Sequence, residues 1–149
     1  MVPLKIRTYE TRDQNAVLRL AEKYASWDAT LTDADIQGFH ASDPDFFLVA
    51  EIDNVIAGFI FGKESRDIPT EVLRRWKAGK VGSVETLAVD AMFRRRGIGT
   101  LLLKHLLERF KDSKVDTVTL SVPAEELAAN KLYEKLGFET RGHFMRKKL

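Results

Sequence analysis

Cysteine is absent from the 149-residue chain. Its absence excludes a disulfide framework, thiolate zinc sites, a cysteine nucleophile and thiol redox chemistry, and it suits a reducing compartment. Histidine is scarce: His40, His105 and His143 are scattered, no carboxylate cluster draws them together, and a metal site is not expected. No apolar run approaches the ~20 residues that cross a bilayer. The longest are residues 46–50 and 55–61. The opening Met1-Val2-Pro3-Leu4-Lys5 lacks the charged segment and long apolar stretch of a secretory signal. An excess of one charge is also missing, since 24 basic residues stand against 22 acidic ones and leave a net charge of +2. A general nucleic-acid binder carries far more, so any basic footprint is local. These absences predict a cytoplasmic protein without nucleic-acid or membrane partners.

What is present suits one globular domain over residues 1–149. Apolar residues make up 44% and charged ones 31% of the chain, enough to bury a core without a disulfide or structural metal. Residues 4–9 alternate as a strand. Thr11 and Gln14 have capping-box spacing before a stripe at Val17, Leu20, Ala21 and Tyr24, which predicts a helix with one buried face. A weaker helix is expected over residues 32–40. Residues 46–52 and 55–61 read as antiparallel strands joined by a tight turn at Asp53-Asn54. The polar connection 62–82 holds room for a short helix at 70–77. Residues 84–89 form a strand, and 99–111 a helix whose stripe is Leu102, Leu103, Leu106 and Phe110. A strand at 115–122, a helix at 125–136 ended by Gly137 and a short terminal strand pair within 138–148 complete the chain. Strands 84–89 and 115–122 flank a helix, so they run parallel if adjacent. The class is mixed α/β.

The segment from Val84 to Thr100 carries the chemistry. A strand ends, a loop containing Arg94, Arg95, Arg96, Gly97 and Gly99 follows, and a helix begins, so free N–H groups and the positive end of a helix dipole converge. That point suits an anion. The dinucleotide fingerprint fails because Leu102 stands where its third glycine belongs, and no Gly-Lys-Ser/Thr loop for a nucleoside triphosphate occurs. Further on, Asn130 and Tyr133 lie one helical turn apart in Asn130-Lys131-Leu132-Tyr133-Glu134-Lys135-Leu136-Gly137-Phe138.

Two segments together resemble a known family. Arg94-Arg95-Arg96-Gly97-Ile98-Gly99 is similar to the Gln/Arg-x-x-Gly-x-Gly/Ala loop of the GNAT superfamily of acyl-CoA-dependent N-acetyltransferases. Leu132-Tyr133-Glu134-Lys135-Leu136-Gly137-Phe138 resembles its second hallmark, and the order of elements fits along nearly the whole chain. The resemblance implies a mostly antiparallel mixed sheet with a central, splayed parallel strand pair, flanked by about four helices. It implies acetyl-CoA as cosubstrate, with the backbone of Arg95, Arg96, Gly97, Ile98, Gly99 and Thr100 around the pyrophosphate and Arg94 beside them. The strand end Leu87-Ala88-Val89 would meet the pantetheine arm through the main chain of Leu87 and Val89. Tyr133 would sit near the thioester sulfur. The family's usual asparagine, seven residues before the tyrosine, is Glu126 here, and Asn130 is the candidate substitute. Trp27 and Asp28 stand where the family's acceptor wall forms, Trp27 as a core-packing residue or, alternatively, a substrate contact.

The chemistry explains these residue types. Only a neutral amine attacks a thioester, and at pH 7 a lysine amine is neutral about once in 2,500 molecules, an N-terminal amine roughly once in seven. A base is therefore wanted, and Glu85, two residues before Leu87, is the candidate. A departing thiolate, with a pKa of about 8.5 by analogy with cysteine, can be protonated by a phenol near 10, which suits Tyr133 as the acid. The expected activity is direct acetyl transfer to a primary amine, of a protein N-terminus or lysine, with small amines and polyamines as the alternative acceptors. A non-catalytic acyl-CoA sensor is the rival, and a homodimer is left open.

Overall fold

The expected stripes and alternations form a five-stranded sheet with helices on both faces. In the computed structural model, which describes residues 3–24 and 30–149, the strands are β1 (Leu4–Thr8), β2 (Phe47–Ile52), β3 (Val55–Ser65), β4 (Val81–Val89) and β5 (Thr117–Leu120). Their order follows the sequence, antiparallel from β1 to β4 and parallel between β4 and β5. Five α-helices accompany them: α1 (Gln14–Tyr24), α2 (Asp33–Ser42), α3 (Thr70–Trp76), α4 (Ile98–Asp112) and α5 (Leu127–Lys135). Residues 138–149 form no strand. The expected terminal strand pair is therefore absent among the described residues, and the parallel pair lies at one end of the sheet rather than at its centre.

The hairpin between β2 and β3 turns at Asp53 and Asn54, whose φ angles of 50° and 63° are those of a type I′ turn and match the twist of the strands. β3 runs four residues beyond its apolar stretch, because Lys63, Glu64 and Ser65 keep pairing with β4. On one face, Leu48, Ala50, Ile60 and Val84 pack against Ile98, Leu102, Leu103, Leu106 and Phe110 of α4. On the other, Phe47, Val49, Phe59, Phe61 and Ala88 pack against Val17, Leu20 and Ala21 of α1 and Ile36 of α2. Phe110 lies directly on backbone: a methyl on Gly62 would come within 2.8 Å of its ring, and one on Gly82 within 2.7 Å. Two neighbouring strands thus need glycine where the ring presses down.

The entry to α1 differs from the expected capping box. Asp13, not Thr11 or Gln14, closes the turn, accepting the Glu10 N–H at 2.9 Å. The same carboxylate grips Arg7 of β1 with two bonds of 2.8 and 2.9 Å, and Arg7 also reaches Glu51 of β2 at 3.1 Å. Burial by itself would raise the Asp13 carboxyl, but the paired guanidinium and the Glu10 amide prevail and hold it below its ordinary value. The tertiary partner Arg7 selects the capping residue. A capping box does open α2, where Thr32 and Asp35 satisfy each other's N–H groups. No helix among the described residues is long and apolar enough to cross a membrane.

Candidate active site

The cleft begins where the parallel strands stop pairing. Val81 to Val84 of β4 lie opposite Thr117 to Leu120 of β5. β5 then ends, while β4 continues to Val89 with β3 as its ladder partner. The parallel pairing expected of these strands is present, and it stops part-way along β4. The Val89 carbonyl, facing away from β3, accepts a bond from Arg94 Nε at 3.3 Å. A chain lying along this stretch of β4 would find main-chain groups to pair with.

At the end of β4 the backbone turns through a short 3₁₀ segment, Ala91–Phe93, capped by the Asp90 carboxylate on the Met92 N–H at 3.0 Å. Arg95 and Gly97 then take left-handed conformations, φ 65° and 74°, on either side of Arg96. Such alternation turns successive N–H groups toward one point. The first bond of α4 runs from the Leu101 N–H to the Gly97 carbonyl at 3.0 Å, so the N–H groups of Ile98, Gly99 and Thr100 come before the helical ladder. A methyl on Gly97 would meet nothing within 4 Å. Open space, free amides, a helix N-terminus and three exposed arginines make a cradle of amides and positive charge whose chemistry suits an anion.

One contact to this loop was not foreseen in the sequence. The Tyr24 hydroxyl, at the end of α1, accepts the Ala91 N–H at 3.1 Å and donates to Asp90 at 3.3 Å. The Arg94 guanidinium stacks 4.9 Å over the Tyr24 ring. Tyr24 belongs to the α1 stripe, so its spacing signals packing and gives no hint of this hold on the arginine loop.

The two motifs, distant in sequence, meet at Gly99. A methyl there would lie 3.6 Å from Leu132 of α5 and 3.8 Å from Val89 of β4. The end of β4, the start of α4 and the middle of α5 thus border one place. Gly137, at φ 93°, ends α5 as expected, with the Gly137 N–H bonded to the Glu134 carbonyl and the Phe138 N–H to the Tyr133 carbonyl, both at 3.0 Å. The Phe138 ring packs edge-on against Tyr133 at 5.9 Å. Burial raises the Tyr133 phenol above its ordinary value near 10, so it keeps its proton throughout the neutral range. Asn130 donates its side-chain amide to the carbonyls of Pro123 at 3.1 Å and Glu126 at 2.8 Å, which ties down the start of α5.

Glu85 sits at an irregularity. Phe61 lies opposite Thr86 and Gly62 opposite Val84, which leaves Glu85 as the extra residue of a β-bulge. Simple alternation would set Glu85 on the face of Leu87. Instead its carboxylate accepts the Ser83 hydroxyl at 2.8 Å and pairs with Lys63 at 3.1 Å, while Leu87 packs toward the α4 core. The bulge turns Glu85 to the opposite face, at the level where β4 and β5 part. Trp27 and Asp28 lie outside the described residues. Among the described residues no group of three His, Asp or Glu side chains is placed to hold a metal.

The model of the acetyltransferase (GNAT) family matches residues 12–138. The chain belongs to the GNAT family. It is 30% identical over 140 residues to an acetyltransferase of Pectobacterium atrosepticum, across 92% of this chain and 89% of that one. A shorter stretch of 52 residues is 48% identical to the ribosomal protein bS18-alanine N-acetyltransferase of Salmonella typhimurium, and it spans 35% of each chain. An aminoglycoside N-acetyltransferase crystallised in complex with CoA shares the fold at a TM-score of 0.77 and 19% identity, over 100% of this chain and 97% of that one. The GNAT fold carries the class that the two motifs imply, an acyl-CoA-dependent acetyltransferase with acetyl-CoA as cosubstrate.

Proposed function

We propose that this GNAT chain transfers an acetyl group from acetyl-CoA directly to a primary amine of a protein or peptide. The observation that carries the reading is the meeting at Gly99 of the amide cradle of α4, the end of β4 that has no partner on its β5 side and the tyrosine-bearing helix α5. The amides from Arg95 to Thr100, with Arg94 and Arg96 around them, hold the pyrophosphate. The main chain of Leu87 and Val89 pairs with the pantetheine arm. Arg94 gives up the Val89 carbonyl when that arm arrives.

The reacting groups follow from this placement. Glu85 accepts a proton from the incoming ammonium, because the bulge aims its carboxylate away from the α4 core and the end of pairing opens β4 beside it. The Tyr133 phenol, kept protonated by burial, donates to the departing thiolate. With no cysteine in the chain, no thiol-linked acyl-enzyme forms and the amine attacks the thioester itself. Asn130 supports the site by fixing the start of α5 beneath the tyrosine.

A protein acceptor is favoured because residues 138–149 form no strand beside β5 and residues 139–149 are exposed throughout, which agrees with an accessible acceptor side. The Salmonella relative, an enzyme for a ribosomal protein's alanine, agrees with this choice. The aminoglycoside enzyme among the structural neighbours makes a small amine the second reading. An acceptor screen by mass spectrometry separates them. Peptides with free α-amines or lysines, polyamines and aminoglycosides are each incubated with acetyl-CoA. Faster acetylation of peptides supports the proposal. Product from the small amines alone overturns the acceptor class, and no product above the uncatalysed background overturns the enzyme.

A further inference from the structure

We propose that Lys63 is a self-acetylation site, at which the protein acetylates its own side chain when acetyl-CoA is bound. The inference rests on the reading of Glu85 as the general base. Lys63 Nζ lies 3.1 Å from Glu85 Oε1, the atom assigned to take a proton from the acceptor ammonium. Any acceptor amine must come to that position before it can react. The protein therefore holds one of its own primary amines where a substrate amine belongs.

The Glu85 end of the pair is anchored on the sheet. Lys63 on β3 faces Ser83 of β4 directly across the ladder, and the Ser83 hydroxyl fixes the second Glu85 oxygen at 2.8 Å. Both partners of the ion pair thus stand on paired strands, Glu85 in the bulge itself and Lys63 one residue pair from it. Lys63 keeps about half its side-chain surface exposed, at 48%, so the four-carbon stem has room to carry Nζ toward the cleft. An amine held beside its base reacts as one end of a unimolecular process, and effective concentrations for well-oriented groups far exceed those of a dissolved substrate. Lys80, the other lysine near this end of β4, is instead committed to Glu64 at 2.9 Å and to the Ser113 carbonyl at 2.7 Å.

The step balances without a further reactant. The Lys63 ammonium passes one proton to Glu85 and becomes the free amine. Its nitrogen attacks the thioester carbonyl carbon, an N–C bond forms, the C–S bond breaks and the nitrogen loses a second proton. The thiolate takes up one proton to leave as the free thiol, and the other is released to solvent. The product, an acetamide at Nζ, no longer carries the charge that pairs with Glu85.

The test uses the full chain and acetyl-CoA without any added acceptor, followed by intact mass and peptide mapping over time. A gain of one acetyl group at Lys63, at least tenfold faster than at the exposed Lys104 and Lys131, supports the proposal. So does a half-time unchanged by tenfold dilution of the protein. Glu85→Gln slows the Lys63 reaction at least tenfold, and Lys63→Arg removes the fast phase. Lys63 modified no faster than the other two, or at the same ratio in urea-unfolded protein, overturns it. A preparation that acetylates an added peptide but spares Lys63 overturns this inference alone. One that binds acetyl-CoA by calorimetry yet acetylates neither removes the enzymatic reading as well.

Discussion

Helix α4 buries Ile98, Leu102, Leu103, Leu106 and Phe110, whereas α5 has no fully buried residue and only partly covers Tyr133. Both helices border the same cleft, and each carries one of the two motifs. α4 fastens its N-terminus, with the free amides of Ile98, Gly99 and Thr100, to the core through a complete apolar stripe. α5 lays Leu132, Tyr133 and Leu136 along the margin of the sheet and leaves Leu127 69% exposed. One helix therefore couples the site to the stability of the fold. The other serves the site with little stake in the core, and the two can be perturbed separately.

The sharpest break in this comparison is Phe110→Ala. Phe110 fills the space over Gly62 and Gly82, so its loss should cost about 3–5 kcal/mol, seen as a fall of roughly 10 °C in Tm by calorimetry. Unchanged thermal stability would contradict the contrast. On α5 the counterpart is Tyr133→Phe. It should leave Tm within a degree or two while lowering kcat about 100-fold at unchanged cofactor affinity, measured by steady-state kinetics and titration calorimetry. A large loss of stability with normal turnover would make Tyr133 a packing residue instead.

A third prediction concerns the acid limit of the core side. Asp13 has its folded-state pKa lowered below the ordinary 3.8, so its stabilisation is fully present above that value and is lost as pH falls through the folded one. Urea unfolding between pH 5 and pH 2.5 should therefore show stability falling on the acid side. Asp13→Asn should flatten that fall at the expense of lower stability at neutral pH. The smallest effect is expected at Leu127→Ala, where an exposed side chain on α5 should change unfolding free energy by no more than about 0.5 kcal/mol.

Much of the fold was legible because its signals are local. The α1 stripe, the α4 stripe, the Asp53-Asn54 turn and the Gly137 ending of α5 each depend on residues a few positions apart, and each appears where the periodicity places it. The cradle was legible for the same reason, since a strand, a glycine-bearing turn and a helix follow one another along the chain. Other features were not. The cap at α1 was misassigned because Asp13 answers to Arg7 on another strand. Tyr24 gave no functional sign, since its partners lie more than sixty positions away. The terminal strand pair was expected from the order of elements and does not form in residues 138–149.

The sequence alone determined most of the helices and the first four strands, the apolar stripes of α1 and α4 and the succession of strand, glycine-bearing turn and helix at Val84–Thr100, because helix and strand periods and backbone N–H supply are written in adjacent residues. Tertiary structure alone decided that Glu85 faces Lys63 and Ser83 rather than following Leu87. It also decided that β4 and β5 part after Val84 and that Gly99 joins β4 to α5. Those outcomes depend on how strands register against distant partners, and one unpaired residue in a ladder reverses the direction of a side chain while leaving the pattern of its neighbours unchanged.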